Sequence, residues 1–367
     1  MSCAIDFQKN ITRWEEALPL GNGEMECLIW GNPSCLNFCL NRMDIQKRIS
    51  LSGAEGREKV GRWLPTGKIE LAFSEYENVF SHLELVSGQA RLCLEKDGSD
   101  GAQIRSVVHA VKGIGMIAID LPPAQVSVTL ELNEELPGEP VLEEVTYGKE
   151  CYIKILRKII GEEVSCGVVM GVRDADGRTE IFYRVVTSWD RANRKDAADP
   201  YVRVQKNIYT WLRWGYDRLL GEHEAWWQDF WGRSGISLPD KELEKSWYMD
   251  KYLSAFPHDM GLMWKTGTFG EDRLEEMLFY NDAESIRIFP AIPAAWERQG
   301  QEVAFWRLQA EKSLLISASL KDGRLTRLLL ESPCQTQVRL KGWNREGQRR
   351  EEQVYGILLQ QGENVFL

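Results

Sequence analysis

Ile11-Thr-Arg-Trp-Glu-Glu-Ala-Leu-Pro-Leu-Gly-Asn-Gly23 is the stretch on which the fold reading turns. Leu18-Pro19-Leu20 is a short apolar run, Gly21-Asn22-Gly23 a turn, and Cys27-Leu28-Ile29-Trp30 an apolar strand just beyond it. Gly and Asn reach positive φ at low steric cost, so the stretch predicts a strand meeting a tight turn. Outward from it, to about residue 190, short runs alternate apolar and polar residues. Lys68-Ile-Glu-Leu-Ala-Phe73, Val126-Ser-Val-Thr-Leu-Glu-Leu132 and Glu180-Ile-Phe-Tyr-Arg-Val-Val186 are examples. A period of two means sheets with one buried face, hence a large antiparallel β-sandwich. Asn133-Glu-Glu-Leu-Pro-Gly-Glu-Pro140 reads as an exposed connection.

From about Tyr201 the period changes. Val204, Ile208, Trp211, Leu212, Leu219, Trp226 and Phe230 recur mostly at three- and four-residue steps. That predicts an amphipathic helix or helix pair, with a break near Gly221. Trp211, Trp214, Trp226, Trp227 and Trp231 make its apolar side heavy, as a packing face or as a sugar-stacking surface. Leu238-Pro-Asp240 ends one segment, and Asp240 caps a helix starting near Glu242. After residue 285 strands return, with Lys321-Asp322-Gly323-Arg324 as a strong hairpin turn. The expected class is mainly β with a helical segment: an N-terminal β-sandwich over 1–198, helices over 199–284 and a small C-terminal β-domain over 285–367.

The chain has 367 residues, 43% of them hydrophobic and 27% charged, a normal soluble composition. A net charge of -10 disfavours nucleic acid and anionic membrane as partners. Met1-Ser-Cys-Ala-Ile-Asp-Phe-Gln-Lys-Asn10 shows neither a basic nor an apolar leader region, and no apolar run has membrane-helix length, so a cytoplasmic location is expected. None of the eight cysteines forms a Cys-x-x-Cys pair, and structural free thiols are expected. His82, His109, His223 and His258 look scattered, without the spacing of a zinc hydrolase. No phosphate-binding or Rossmann fingerprint is present, so neither cofactor nor metal is expected.

Four blocks, in order, resemble glycoside hydrolase family 95, the α-L-fucosidase-like enzymes. They are Arg13 to Gly31; Leu36 to Asp44 with Leu64-Pro-Thr-Gly-Lys-Ile-Glu-Leu71; His223 to Tyr248; and Phe269 to Trp296 with Ile286-Arg-Ile-Phe-Pro-Ala-Ile-Pro293. The resemblance implies a β-sandwich, a helical linker, an (α/α)6 toroid carrying the chemistry, and a C-terminal β-domain. Here only residues 241–285 separate the linker from the C-terminal strands. Twelve helices of about 11 residues would need roughly 130 residues before any loop. The resemblance therefore implies an internally deleted chain, with residues 199–284 a linker plus a remnant of the catalytic domain.

Glycoside hydrolysis needs two carboxyl groups flanking one sugar bond. The family's general acid falls in the missing portion. Its base is the Asp of an Asp-Gly-Asn-Phe-Gly motif; aligned on Phe-Gly, this chain reads Thr266-Gly-Thr-Phe-Gly270. A threonine hydroxyl cannot serve as that base, so no catalytic residue is assigned. The candidates for substrate contact are Asn22, Glu24, Trp264 and Glu271. Each has a structural alternative: Asn22 stabilises its turn, Glu24 and Glu26 are surface charges, Trp264 is a core contact, and Glu271 complements a helix dipole. The expected protein is a carbohydrate-active relative of the family with impaired catalysis and an oligosaccharide as ligand. The alternatives are an active glycosidase with an improvised or inter-subunit site, and a non-catalytic β-sandwich protein that binds or scaffolds. Without the toroid, the exposed helical faces must pack on each other, on the β-domains or on a second copy as a homodimer.

Overall fold

The computed structural model describes residues 4–7, 9–42, 44–45, 65–148, 151–160, 164–190, 199–255, 271–281 and 285–367. It is mainly β, as the alternation implies, with antiparallel sheets and a few helices. The chain divides into two compact units, Met1–Gln228 with Tyr252–Trp264, and Asp229–Lys251 with Lys265–Leu367.

The first unit is a sandwich of two antiparallel sheets. The large sheet has nine strands in the order Ala4–Phe7, Asn78–Glu84, Gln89–Lys96, Ser99–Val108, Gly115–Ile119, Thr179–Thr187, Val164–Asp174, Cys151–Ile160 and Glu139–Tyr147. The small sheet has five, in the order Ser127–Leu132, Gly67–Ala72, Cys35–Arg42, Met25–Asn32 and Leu18–Gly21. Leu18, Ile29, Phe38 and Ile69 share one register row and are fully buried, so the inner face of the small sheet is apolar. The Val185 amide, from the large sheet, donates to Met25 Sδ of the small sheet at 3.4 Å. The connection 133–140 is pinned rather than loose. Lys158 Nζ donates to the carbonyls of Asn133, Glu134 and Leu136, and Leu136 is buried.

Helices α1 (Pro200–Trp214) and α2 (Tyr216–Gly232) follow the sandwich. Asp199 caps α1 by accepting the Tyr201 amide at 2.9 Å. Tyr201, Val204, Ile208 and Leu212 bury their side chains against Val107, Met116, Ile153, Val169 and Phe182 of the large sheet. The apolar side of α1 thus finds its cover on the chain's own sandwich, each aliphatic side chain contributing about 1.5–3 kcal/mol. The helix break lies at Gly215, not near Gly221, which sits inside α2. Gly215 takes φ +83, and the buried Glu180 carboxylate accepts the first α2 amide, that of Tyr216, at 3.3 Å. Arg173 and Arg178 both pair with Glu180 and offset its burial. An isolated glycine in a helix costs only about 1 kcal/mol, which is why Gly221 does not end one.

The second unit is a smaller sandwich. One sheet orders Gly235–Ser237, Glu302–Gln309, Leu315–Lys321, Arg324–Ser332 and Gly362–Val365; the other orders Phe279–Asn281, Ile286–Ile288, Thr336–Trp343 and Arg349–Leu359. Phe305 of the first sheet packs on Phe279 and Phe289 with ring centroids 5.8 and 5.4 Å away. Asp322 and Gly323 form the expected hairpin turn with φ +51 and +73. Helix α3 (Lys241–Ser254) is capped by Asp240, whose Oδ1 accepts the Leu243 amide at 3.0 Å. Helix α4 (Glu271–Leu278) buries Leu274 and Leu278. Among the described residues, no helix is long and apolar enough to cross a membrane. The seven described cysteines are free thiols.

Candidate functional site

The Gly21-Asn22-Gly23 turn closes the hairpin between Leu18–Gly21 and Met25–Asn32. The Asn22 amide donates to the Met25 carbonyl, and Asn22 Oδ1 accepts the amides of Glu24 and Met25 at 3.0 and 2.8 Å. Gly23 takes φ +82, which only a residue without Cβ adopts freely. Asn22 Nδ2 donates to the His109 carbonyl at 2.9 Å, tying the turn to the loop beyond Ser99–Val108. Every polar group of this side chain is therefore engaged inside the first unit.

Glu24 points towards the same loop. Its carboxylate pairs with Arg184 at 2.8 Å, and Arg184 also donates to the Lys112 carbonyl at 3.1 Å. A Cβ on Gly113, where φ is +60, would lie 2.6 Å from Glu24 Oε2 and 2.9 Å from Arg184 Nη1. A glycine there is what lets the pair form against the loop. The Glu24 side chain keeps 41% of its exposure, so the pair is a rim contact rather than a buried one.

Glu26 is not a surface charge: it is fully buried. The strand pleat turns it to the outer face of the small sheet, opposite Asn41, whose Nδ2 donates to Glu26 Oε2 at 3.3 Å. The same outer face carries two more register rows, Leu28-Cys39-Lys68-Glu131 and Trp30-Asn37-Glu70. Lys68 lies between Glu70 at 2.8 Å and Glu131 at 3.2 Å. The Lys68 contact holds the Glu70 carboxyl below the ordinary carboxylate range. Trp30 is half-buried and donates from its indole to Cys39 Sγ at 3.4 Å. At one end of the sheet, Arg42 pairs with Asp190 at 2.5 Å and Asp44 at 2.9 Å. Burial is the largest single influence on Asp190 and opposes its ionisation, but the Arg42 hydrogen bond and charge, the Thr187 amide and Arg184 together outweigh it and hold the carboxyl down.

The histidines are not all scattered either. His109 and His223 are fully buried with ring centroids 5.7 Å apart. His223 Nδ1 accepts the Ala110 amide at 3.1 Å, so its Nε2 carries the proton and donates to the Ser87 carbonyl at 2.7 Å. His109 Nδ1 accepts the Val111 and Lys112 amides, and its Nε2 donates to the Leu219 carbonyl at 3.2 Å. Both rings are thus held neutral, and burial pushes both down to about 4. One turn of helix further on, Trp227 stacks on Tyr252 at 5.1 Å, and the Tyr252 hydroxyl donates to the Pro19 carbonyl at 2.8 Å. Asn22, Pro19 and the two histidines therefore belong to one bracing network.

Of the four candidates, the structure brings Asn22 and Glu24 to one turn. Trp264 lies outside the described residues, as do Thr266 and Thr268. Glu271 opens α4, and its side chain is outside the described set. Arg184 and Asn41 join the site without having been singled out for it, and Glu26, read as a surface charge, is buried there; the alternating period placed all three on strands and gave no sign of what covers them. Among the described residues, no cluster of His, Cys, Asp or Glu has the arrangement of a metal site. Chemically, the turn offers a carboxylate committed to accepting from a guanidinium. A general acid must instead present a proton to a leaving oxygen.

No protein-family model matches the sequence, and no curated protein matches it. Among solved structures, a protein named as a kojibiose phosphorylase from the human microbiome aligns with 9% identity and a TM-score of 0.39. The alignment covers 66% of this chain and 36% of that one, so the chain spans about a third of that protein's length.

Proposed function

We propose that this protein recognises carbohydrate without hydrolysing it, as a relative of the family 95 glycosidases that keeps the two β-sandwiches and lacks the toroid. The observation that carries the non-hydrolytic part is the engagement of Asn22: three hydrogen bonds fix its side chain to the turn and to His109. Glu24 is likewise held by Arg184. The turn then acts as a brace, and neither residue is poised for proton transfer. Thr266 in place of the family's base Asp supports the same reading.

The recognition part is supported by the outer face of the small sheet. Trp30 and Glu70, both partly exposed, lie in one register row on either side of the buried Asn37, an indole and a carboxylate on one face. Such groups meet the apolar face and the hydroxyls of a pyranose. The test is paired. Glycan-array binding by the purified chain is expected and should weaken on Trp30→Ala, while aryl fucoside is not turned over. Turnover abolished by Glu24→Gln would overturn the reading, as would the absence of any glycan bound.

A further inference from the structure

The second unit carries a face that its own packing leaves unexplained. In the sheet Phe279–Asn281, Ile286–Ile288, Thr336–Trp343 and Arg349–Leu359, one face is buried through Ile286, Ile288 and Leu340. Pairing puts Tyr280, Arg287, Lys341 and Val354 in one row on the opposite face. Arg339 and Gly356 form the next row, and Gln337 and Leu358 the third. Neighbouring strands lie about 4.8 Å apart and alternate residues about 6.6 Å apart, so three cations crowd one small surface. Among the described residues, no ion pair joins Arg287, Arg339 or Lys341 to a carboxylate.

Three cations side by side, none of them paired with a carboxylate among the described residues, are unexpected in a chain of net charge -10. They repel one another, and at a screening length of about 8 Å the surrounding acidic surface does not cancel them. The rest of the face is built for contact. The Arg287 guanidinium lies over the Tyr280 ring at 6.0 Å, and Tyr280 is 43% exposed. A Cβ on Gly356 would meet nothing within 4 Å, and its φ is not positive, so neither crowding nor backbone conformation demands a glycine there. It leaves an open floor beside Arg339.

We propose that this face binds an acidic polysaccharide, with uronate carboxylates on Arg287, Arg339 and Lys341 and a sugar ring against Tyr280. Guanidinium groups take carboxylates through paired N–H donors, and an aromatic ring takes the apolar side of a pyranose. Charge complementarity selects the occupant: a neutral glycan leaves the cations unpaired, and a polyanion without rings leaves Tyr280 unused. The assignment stands on this face alone and does not rest on the reading of the first sandwich.

The test is affinity electrophoresis of the full chain in gels containing polygalacturonate, with dextran, polyglutamate and phosphatidylserine vesicles as comparisons. Polygalacturonate should retard the protein, and the comparisons should bind at least about tenfold more weakly, a difference of about 1.4 kcal/mol. R287Q/R339Q/K341Q should abolish retardation, and Y280A should weaken it several-fold. Gly356→Phe, which changes no charge, should block it by filling the floor. Circular dichroism checks that each variant is folded. Equal binding to polyglutamate or to vesicles, no retardation at all, or retention by the triple variant would overturn the assignment.

Discussion

The Ala110 amide donates to His223 Nδ1 at 3.1 Å, beside a His109 ring 5.7 Å away. This relationship fixes α2 to the sandwich through two neutral imidazoles. Each Nδ1 is an acceptor only while unprotonated, so a second proton on either ring removes an acceptor and places a cation in a buried site. Around the pair, Glu222 favours protonation of His109 and Lys112 opposes it, and His109 opposes charging of His223.

The pH dependence follows in sign and window. In the unfolded chain both histidines titrate near 6.5. In the folded chain both sit near 4. Between these values the unfolded state binds more protons, so stability rises with pH. It is fully present above about 6.5 and lost as pH falls towards 4, on the order of 3 kcal/mol for each ring taken singly. Urea midpoints measured from pH 8 to pH 4 should fall through this window. His223→Gln should be less stable at pH 8 and show a shallower fall; an unchanged slope would remove the histidines as its cause.

Asn22→Ala should destabilise the first unit by about 2–3 kcal/mol, since it removes three hydrogen bonds worth about 1 kcal/mol each. Asn22→Asp separates the two roles of the side chain. It keeps an oxygen for the Glu24 and Met25 amides but sets a carboxylate oxygen against the His109 carbonyl where the donor stood, so its cost should be at least that of Asn22→Ala. Chemical denaturation of the three proteins at one pH gives the comparison. Equal stability of all three would mean that the brace contributes nothing.

Much of the fold is legible in single residues. Lys68-Ile-Glu-Leu-Ala alternates as a strand with one buried face, Asp322-Gly323 demands positive φ, and Asp240 caps α3. These signals are local, and the chain carries them without help from tertiary contacts. The site is less legible. Glu26 reads as solvated because it follows a turn, yet cover on the outer sheet face buries it. His109 and His223 are 114 positions apart, and no spacing rule joins a strand end to a helix turn. The helix break moved to Gly215 because Glu180, from a distant strand, supplies the acceptor for the next helix.

Gly88 tests how tightly α2 is seated. It takes φ +57, and a Cβ there would lie 2.4 Å from Trp227 Nε1, against a ring that is only 1% exposed. Gly98 takes φ +70 with nothing within 4 Å of the same position. Gly98→Ala should therefore cost about 1 kcal/mol, the backbone penalty alone. Gly88→Ala adds overpacking and should cost about 2–4 kcal/mol in total, with a shift in tryptophan emission. Equal costs would show that Trp227 gives way freely.

Lys251 in the second unit tests a different kind of burial. Its ammonium lies 5.3–5.4 Å from the ring centroids of Phe230, Trp231 and Trp247, and it donates to the Ser234 carbonyl and to Ser234 Oγ. Burying a lysine costs several kcal/mol unless such partners replace water. Ring faces supply about 0.5–2 kcal/mol, and the charged hydrogen bonds about 1.5–3 kcal/mol each. Lys251→Met keeps the apolar stem and removes both the desolvation cost and the donors, leaving the Ser234 carbonyl without its ammonium. The net expectation is a loss of about 2 kcal/mol, read by urea denaturation. Lys251→Arg should rescue it poorly, because a planar guanidinium cannot aim its donors as the compact ammonium does. A Met variant as stable as the parent would mean that the aromatic surround and Ser234 only offset burial and add nothing beyond it.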